Sequence, residues 1–584
     1  MDASAHLHIL SDSADVRPLH RMQALNAAPS LWAVCGAVSV SLLFLYLLWK
    51  HHPSYGSNPS CPSFPIVGCM PFVLLHKNHI YEWCCGLFDR SPSLTLRLNT
   101  GRVITVATAD PQVVHHILKS HFHSYPKGPG FYSLFADLLG NGIFNCDGTL
   151  WRFQRKVASH VFTSNSLKDF VVAIANSEIT GRLLPALGSA HHQDSNTYID
   201  LQALLMLYTF DTICQLTFGS DPACLGSSKF MKNAHDYGNA ASINVDASLR
   251  TSACVARVPD DLIQGFVQGF QVALRITADR FLIPGFVWKT KKFLKIGSEK
   301  KLVEAMEKVH KFASFVIEQG KTDMENGKDR KDLLARFIRL KKDPAESWPD
   351  DGENGDKWEG MAISDSLLKD ILLSFILAGR ESIASGVTFA MWLISEHPRV
   401  EREVLNEVTK ILEQRGNSSD AGKNATFTYE EVRKMNYLQA VLSESMRLYP
   451  PVPANCKSAA EDDILPDGTP VLKGHEVTYN VFAMGRAARV WGEDRLDFLP
   501  ERWLDESGMF VPASPFKYPV FQAGPRICLG KDFAFIQMKL VVASLVRHFE
   551  FAVQPGFNLR LSYGVNMMML NGLPVTLKRK SPLF

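Results

Sequence analysis

The sequence predicts a mainly helical protein with small β-sheets and a single transmembrane helix near the N-terminus. Helical periodicity is strongest over Ser364–Glu396 and Phe533–His548, and most of the chain between residues 199 and 342 shares it. Alternating apolar and polar residues predict a β-hairpin over Ser93–Ala107. The uncharged apolar run Leu31–Trp49 is just long enough to span a bilayer.

The N-terminal part divides into an extension over residues 1–30, a membrane anchor over 31–49 and a hinge over 50–72. Aromatic residues lie near both ends of the apolar run, where membrane-interface residues are common. A cleaved signal peptide is the alternative, but the long extension before the run and the lack of a small-x-small cleavage motif favour an anchor. Prolines interspersed with glycine and serine make the hinge stiff. Residues 73–584 form the remaining domain.

Composition excludes some classes of protein and partner. The chain has 584 residues, 46% of them hydrophobic, which is ample for a core, and its net charge of +3 does not suit a polyanion-directed protein. We therefore expect no nucleic-acid partner. The 11 cysteines are scattered and odd in number, which indicates a reducing compartment rather than a disulfide framework.

One cysteine lies in a loop suited to holding a cofactor, just before the last long helix. The loop runs Phe521-Gln-Ala-Gly524-Pro-Arg526-Ile-Cys528-Leu-Gly530, and its glycines permit a tight turn and close approach to a bound group. Phe521 can shield the sulfur, and the positive end of the following helix favours a thiolate. A haem iron fits this chemistry, because thiolate ligation favours O–O cleavage, and Arg526 can meet a haem propionate. The alternative is a buried structural cysteine.

Trp151 and Arg155 are spaced i, i+4 and therefore share one face of a predicted helix. Both side chains donate hydrogen bonds, so together they suit a carboxylate pair such as haem propionates. The alternative is an exposed basic helix with one packed tryptophan.

The middle of the predicted helix Ser364–Glu396 carries Ala378-Gly379-Arg380-Glu381-Ser382. The small residues Ala378 and Gly379 let a large group lie against the helix, and glycine weakens the helical ladder locally. Glu381 and Ser382 can relay protons, which the splitting of dioxygen requires. In the alternative interpretation this acid and hydroxyl merely face solvent.

A further motif predicts a charged network behind the cysteine loop. Glu444 and Arg447 are i, i+3 neighbours, and Arg502 follows in a Pro-Glu-Arg-Trp turn. An exposed pair of this kind contributes little, whereas a buried network would fix the geometry of the core.

In this order and spacing the motifs resemble those of the cytochrome P450 monooxygenases, over Phe64–Leu583. The resemblance implies a triangular helical prism with small sheets, in which Cys528 is the axial ligand of haem b. It implies that Glu444, Arg447 and Arg502 form a structural triad. The cofactor contacts implied are Trp151, Arg155, Arg526, Phe521, Gly524, Gly530, Ala378 and Gly379.

Other phrases, among them Ile464-Leu-Pro-Asp-Gly-Thr469 and Pro500-Glu-Arg-Trp-Leu504, look like the plant fatty-acid hydroxylase clan, closest to its ω-hydroxylase and jasmonoyl-amino-acid hydroxylase branch. This implies O2-dependent hydroxylation of an aliphatic C–H bond at or near the end of a fatty acid or fatty-acid-derived molecule. Electrons would come from NADPH through a separate FAD/FMN reductase. The enzyme would be anchored in the endoplasmic reticulum membrane with its catalytic domain in the cytosol. The candidate reductase contacts are Arg152, Lys156, Lys531 and Lys539.

Three features bear on the substrate and the coupling of the reaction. The chain has Glu381-Ser382 where the family usually has an acid and a threonine, and serine lacks the methyl group that restricts the threonine rotamer. Ala454-Asn455-Cys456 replaces a Gln-Trp-Asp/Asn-Ser type of segment common in the branch. The predicted substrate pocket comprises Phe131, Leu134, Leu138, Phe375, Val452 and Met567.

Two other functions remain open at this point. One is an O2-independent haem-thiolate isomerase or dehydratase of fatty hydroperoxides, which the acid–hydroxyl pair disfavours. The other is a non-catalytic haem-binding protein. The glycosylation sequons at Asn417 and Asn424 are predicted to carry no glycan, because the domain is expected in the cytosol.

Overall fold

The protein is described here by a computed structural model. It describes residues 19–50, 61, 63–64, 67–100, 103–162, 165–191, 198–227, 256–342, 363–415 and 426–580. Residues 343–360 are rich in proline, aspartate, glutamate and glycine, which predicts an acidic exposed loop, and they lie outside these ranges, as do both sequons.

Helices account for most of the described chain, as the sequence predicts, and are numbered here in chain order. The first nine are α1 Leu19–Lys50, α2 Met70–Leu75, α3 Ile80–Asp89, α4 Pro111–His115, α5 Gly128–Leu139, α6 Gly148–Phe162, α7 Asn165–Glu178, α8 Leu184–His191 and α9 Leu201–Phe218. The next six are α10 Asp260–Asp279, α11 Gly285–Leu294, α12 Gly297–Glu325, α13 Leu333–Lys342, α14 Asp365–Glu396 and α15 Pro398–Glu413. The last five are α16 Tyr429–Lys434, α17 Asn436–Leu448, α18 Val481–Met484, α19 Ala488–Trp491 and α20 Lys531–His548.

Small sheets flank the helices. The strands are β1 Thr95–Asn99, β2 Ile104–Thr108, β3 Ile199–Asp200, β4 Ser220–Asp221, β5 Ala256–Arg257, β6 Ala454–Ser458, β7 Asp463–Ile464, β8 Pro470–Val471, β9 Glu476–Asn480, β10 Phe549–Val553 and β11 Pro574–Arg579. The largest sheet has the order β1-β2-β9-β6, in which only the β2–β9 pair is parallel. A second sheet has the order β10-β11-β3, and β4-β5 and β7-β8 form two-stranded pairs.

The long helix α14 lies at the centre of the main hydrophobic core and packs against α9, α17 and α20. Its N-terminus is capped by Ser364, whose side chain accepts a hydrogen bond from the backbone N–H of Leu367. Pro398 begins α15 directly after it, because proline fits the first helical turn but cannot continue a preceding helix. With 32 residues, α14 is about 48 Å long. A helix of this length extends from one side of the molecule through the core.

The two predicted hairpins fare differently. The first is confirmed, because β1 and β2 pair antiparallel from Thr95 opposite Thr108 to Asn99 opposite Ile104. The second, which the sequence predicts over Tyr563–Leu570 and Leu573–Lys578 around Asn571-Gly572, is wrong in its pairing. Residues 574–579 form β11, which pairs with β10 and β3, whereas the preceding segment makes an isolated bridge between Leu561 and Met569. The period-2 pattern identified the strand, but its partners are distant in sequence.

The N-terminal helix α1 contains the predicted anchor and also the later part of the predicted extension. Trp32–Leu48, within it, is a shorter apolar stretch whose large apolar side chains are exposed. Two other described stretches, residues 168–188 and α14, are long and apolar enough to cross a membrane, but most side chains of α14 are buried within the protein. The anchor therefore stays a prediction. The helix α2 begins at Met70, inside the predicted hinge.

Candidate active site

The cysteine loop is shaped by two local constraints. The backbone N–H of Cys528 donates a hydrogen bond to the carbonyl of Phe521, at 2.8 Å, which closes the loop ahead of α20. Gly524 has φ +65°, and a Cβ there would collide with the carbonyl of Leu118 in the turn after α4. Glycine is therefore required at 524 both by its backbone conformation and by its neighbour.

The Cys528 side chain is accessible although much of the protein surrounds it. Its thiol is accessible to water, yet burial raises its pKa, opposed by a backbone hydrogen bond from Gly530 and by the charges of Arg155 and Lys531. An accessible but desolvated sulfur lies in a cavity rather than on a convex surface. The surrounding donor and cations favour the thiolate that a metal requires.

Trp151, Arg155 and Arg526 come together near this cysteine. The Arg526 guanidinium carbon lies 4.3 Å from the centroid of the Trp151 ring, and that of Arg155 lies 5.9 Å from it. Arg526 is buried and donates to Asp147 Oδ1 at 2.6 Å and to the Cys146 carbonyl at 3.0 Å. Its Nε has no hydrogen-bond partner among the described residues.

Two buried lysines, Lys127 and Lys457, lie beside these side chains, and the sequence analysis missed them. We call the whole group the cationic cradle: Lys127, Arg155, Lys457, Arg526 and the indole of Trp151. Lys127 and Lys457 are 6% and 1% exposed, and Lys457 Nζ has no hydrogen-bond partner among the described residues. Burial, and then Arg526, lower the pKa of Lys127 to about 8. Burial, and then Lys127 and Arg526, hold the pKa of Lys457 well below its usual value.

Buried like charges of this kind are costly unless an anion lies among them. Asp147 offsets part of this charge, but among the described residues Arg526 Nε and Lys457 Nζ still have no acceptor, and a group carrying two carboxylates would supply acceptors for them. The cradle and the adjacent Cys528 therefore fit a propionate-bearing haem with a thiolate ligand. The sequence signal for the lysines was weak, because Lys127 lies in a Pro/Gly loop and Lys457 follows an atypical segment.

Comparison with known families identifies this arrangement. A family model described as Cytochrome P450 matches residues 59–579. The chain belongs to the cytochrome P450 family. The resemblance noted from the motifs is confirmed, and the family implies a haem whose iron is bound by a cysteine thiolate. The chain is a cytochrome P450 monooxygenase.

Similar plant proteins cover nearly the whole chain. Cytochrome P450 94C1 of Arabidopsis thaliana is 39% identical over 507 residues, which is 86% of this chain and 90% of the relative. Cytochrome P450 94A1 of Vicia sativa is 36% identical over 533 residues, 89% of this chain and 90% of the relative. Cytochrome P450 94B1 of Arabidopsis thaliana is 37% identical over 538 residues, 90% of this chain and 92% of the relative.

On α14 of this P450, the predicted proton-relay residues lie one after the other but differ in their contacts. Ser382 Oγ donates to the Ala378 carbonyl at 2.5 Å. Glu381 Oε2 accepts a hydrogen bond of 2.8 Å from Asn566 Nδ2, and its Oε1 lies 4.0 Å from Arg380 Nη1. Asn566 carries no motif that marks it in the sequence.

Gly379 is packed closely against a neighbouring helix. A Cβ at 379 would collide with the side chain of Ile213 in α9. The close approach of α9 and α14 is therefore one reason for glycine at 379, and its contact with a cofactor stays a prediction. Ala378, by contrast, is half-buried.

The Glu444 network is closed and buried behind the cysteine loop. Arg447 Nε and Nη2 donate to the two Glu444 oxygens, each at 2.7 Å, and Arg502 Nε donates to Oε1 at 3.2 Å. Glu444 also accepts hydrogen bonds from Trp503 Nε1 at 2.9 Å and from the Leu499 backbone N–H at 3.1 Å. Five donors on one carboxylate hold α17 against the segment that precedes the cysteine loop.

The predicted substrate residues fall into separate groups. The Met567 backbone N–H donates to the Pro451 carbonyl at 2.8 Å, which places Met567 beside Val452, and its carbonyl accepts from Ser385 on α14. Leu134 and Leu138 are buried on α5, which packs against α14. Phe375 stacks on Phe162, with ring centroids 5.8 Å apart, and Phe162 in turn makes an edge contact with Phe533.

A cavity of about 260 Å³ lies where α5, the start of α11 and the β6–β9 pair meet. Phe131, Trp288 and Lys289 line it together with Cys456, from the atypical segment at 454–456. Lys127 and Lys457 line it as well, so the cavity adjoins the cationic cradle.

One predicted reductase contact is wrong. Lys539 is buried in α20 and donates to the Val432 carbonyl at 3.2 Å, so it cannot meet a partner protein. Arg152, Lys156 and Lys531 are partly exposed.

Proposed function

We propose that this P450 hydroxylates an aliphatic C–H bond at or near the terminus of a fatty acid or fatty-acid-derived molecule. The balanced reaction is RH + O2 + NADPH + H⁺ → ROH + H2O + NADP⁺. The observation that carries the proposal is a cavity lined by the apolar side chains of Phe131 and Trp288 and by the charged side chains of Lys289 and Glu476, which adjoins the cationic cradle at Lys127 and Lys457. A carboxylate at one end and an alkyl chain at the other complement such a lining.

The residues that would hold the haem are those of the cationic cradle and Cys528. Cys528 Sγ would bind the iron, and Arg526, Arg155 and the Trp151 indole would donate hydrogen bonds to the propionates. When bound, the haem supplies the iron at which dioxygen is activated. Phe521 lies against Phe535, with ring centroids 5.1 Å apart, and limits access of water to the thiolate side.

Glu381 and Ser382 supply protons on the α14 side. Glu381 is largely buried, with a side chain 12% exposed, so its carboxyl group exchanges protons with few waters. Ser382 Oγ can accept a hydrogen bond on this side, while its own O–H bond to the Ala378 carbonyl fixes its rotamer and must break before that proton is passed on. That bond provides some of the restriction that the methyl group of a threonine gives in other family members.

The N-terminal helix anchors the enzyme in the endoplasmic reticulum membrane, with the catalytic domain in the cytosol. The exposed apolar side chains of Trp32–Leu48 have no protein surface around them, and lipid would cover them. None of the ten described cysteines forms a disulfide, which suits a reducing compartment. Cytosolic placement requires that neither sequon is glycosylated, and an endoglycosidase-sensitive mass shift would contradict it.

Electrons come from NADPH through a separate diflavin reductase. Arg152, Lys156 and Lys531 lie on α6 and at the start of α20, on the cysteine side of the molecule, and are exposed enough to meet an acidic partner. Charge reversal at Lys156 should lower the rate of reduction more at low than at high ionic strength.

The decisive experiment is a substrate screen with the purified full-length haem protein and a plant reductase. Fatty acids, their methyl esters and jasmonoyl amino-acid conjugates are compared by binding difference spectra and by mass spectrometry of the products. We expect the acids to bind more tightly than the esters and the product to carry a hydroxyl group near the chain end. Turnover of fatty hydroperoxides without NADPH would instead favour the isomerase or dehydratase, and no NADPH use with any lipid would favour a non-catalytic haem protein. Cys528→Ala should abolish the reduced-CO band of a thiolate haem.

A further inference from the structure

The segment between β10 and β11 is hydrogen-bonded to α14 at two consecutive residues. Asn566 Nδ2 donates to Glu381 Oε2 at 2.8 Å, and the carbonyl of the next residue, Met567, accepts from Ser385 Oγ at 2.6 Å. Glu381 and Ser385 are one helical turn apart and share a face of α14. The two bonds therefore hold this segment flat against the helix, directly over the predicted relay.

The bond to Asn566 determines how the Glu381 carboxyl group can carry a proton. The amide nitrogen is a donor only, so Glu381 Oε2 must be its acceptor. A proton on the carboxyl group is then confined to Oε1, the oxygen that faces Arg380 Nη1 at 4.0 Å. Asn566 is 6% exposed, so water does not readily replace it as the donor.

The same segment reaches the predicted substrate wall. The backbone N–H of Met567 donates to the Pro451 carbonyl, and Val452 follows immediately. Met567 is fully buried, so on this wall Val452 would be the residue that meets a substrate. The Glu381 carboxyl group is thus connected, through Asn566 and Met567, to the predicted substrate wall.

We infer that Asn566 is a positioning residue for proton delivery, which orients the Glu381 carboxyl group and links that orientation to the substrate wall. The inference rests on the proposed role of Glu381 as proton donor. When protons arrive late, the reaction O2 + 2e⁻ + 2H⁺ → H2O2 competes with hydroxylation, and both electrons still come from NADPH. Loss of the Asn566 donor should therefore divert electrons from the hydroxylated product to hydrogen peroxide.

The test uses the full-length holoenzyme, its reductase and lauric acid, or whichever fatty acid gives the largest binding spectrum. Four variants are compared with the unmodified protein, namely Asn566→Leu, Asn566→Gln, Glu381→Gln and Ser385→Ala. NADPH consumed, hydroxylated product and hydrogen peroxide are measured together, with the spectral dissociation constant and the midpoint of thermal unfolding as readouts that do not depend on turnover. Ser385→Ala is the matched control, because it removes the other bond of the same segment and leaves Asn566 in place.

We expect Asn566→Leu to raise hydrogen peroxide per NADPH about three- to tenfold. The spectral dissociation constant and the unfolding midpoint should stay close to those of the unmodified protein and of Ser385→Ala. Asn566→Gln keeps an amide donor and should restore part of the coupling.

Two results would overturn the inference in different ways. If Glu381→Gln raises peroxide but Asn566→Leu does not, or if Ser385→Ala raises it equally, Asn566 has no positioning role and the proposed relay survives. If Glu381→Gln itself leaves the peroxide share unchanged, the proposed proton role of Glu381 and the inference both fail.

Discussion

Replacing Glu444 by leucine should be among the most destabilising single changes in this protein. The carboxylate is fully buried and accepts five hydrogen bonds, two of them from the buried Arg447. Leaving that guanidinium without its anion costs about 3–5 kcal/mol, and each orphaned donor at Trp503 and Leu499 adds about 1 kcal/mol or more. The sum is comparable to the whole stability of a typical domain, about 5–15 kcal/mol.

Two further variants make the reasoning testable even if Glu444→Leu folds poorly. Arg502→Met removes a weaker arm of the same network, since the Arg502 side chain is 16% exposed and its bond to Glu444 is 3.2 Å long, so we expect a loss below about 1 kcal/mol. Glu444→Leu combined with Arg447→Met removes both buried charges and should be more stable than Glu444→Leu alone. The recovery will be incomplete, because Arg447 also donates to the carbonyls of Gly485, Arg495 and Asp497.

The assay is urea unfolding followed by circular dichroism, with the reduced-CO spectrum to report on the haem site. The argument is refuted if Arg502→Met destabilises the protein as much as Glu444→Leu. It is also refuted if the losses of the double variant are simply additive, since the cost would then not come from an unpaired buried charge.

Three further predictions concern the cofactor loop, the cradle and a buried acid. Gly524→Ala should prevent haem incorporation, because its Cβ meets the Leu118 carbonyl, whereas Gly508→Ala, also at positive φ but with no atom within 4 Å, should leave the ratio of Soret to protein absorbance unchanged. Lys457→Met should speed haem transfer to apomyoglobin relative to substitution of an exposed lysine, and equal rates would contradict a role in the cradle. Burial raises the pKa of Asp370 to about 6, so the folded state binds more protons than the unfolded state between about pH 4 and 6, and this group lowers stability as pH rises through that window. The free energy of unfolding of Asp370→Asn, minus that of the unmodified protein, should therefore increase as the pH rises from 4.5 to 7. A difference that stays constant over this range would contradict the raised pKa of Asp370.

The features that sequence patterns predicted correctly are those whose residues are near neighbours in the chain. The helix α14 follows from its periodicity, its cap at Ser364 and the proline that follows it. The cysteine loop and the Glu444–Arg447 pair follow from short motifs whose members are near neighbours in sequence. Such features need no knowledge of what packs against them.

The parts that sequence could not predict depend on contacts between distant residues. Lys127 and Lys457 belong to the cradle because the fold brings a Pro/Gly loop and β6 to Arg526. Asn566 meets Glu381 across 185 residues. Lys539 was expected at the surface because it is charged, but α20 is buried on most sides, so no amphipathic pattern marks an exposed face.

The position of the cradle along the chain also sets the timing of its assembly during synthesis. Arg526 is bonded to Asp147, 379 residues earlier, so at about 5–20 residues per second the ribosome needs about 20 to 75 s to deliver the second residue after the first. Throughout this interval α6 and the loop that carries Lys127 have been synthesised, but the cysteine loop that completes the site has not. Cofactor insertion is thereby deferred until the cysteine loop has been made, and a nascent chain stalled before that loop cannot acquire a thiolate haem.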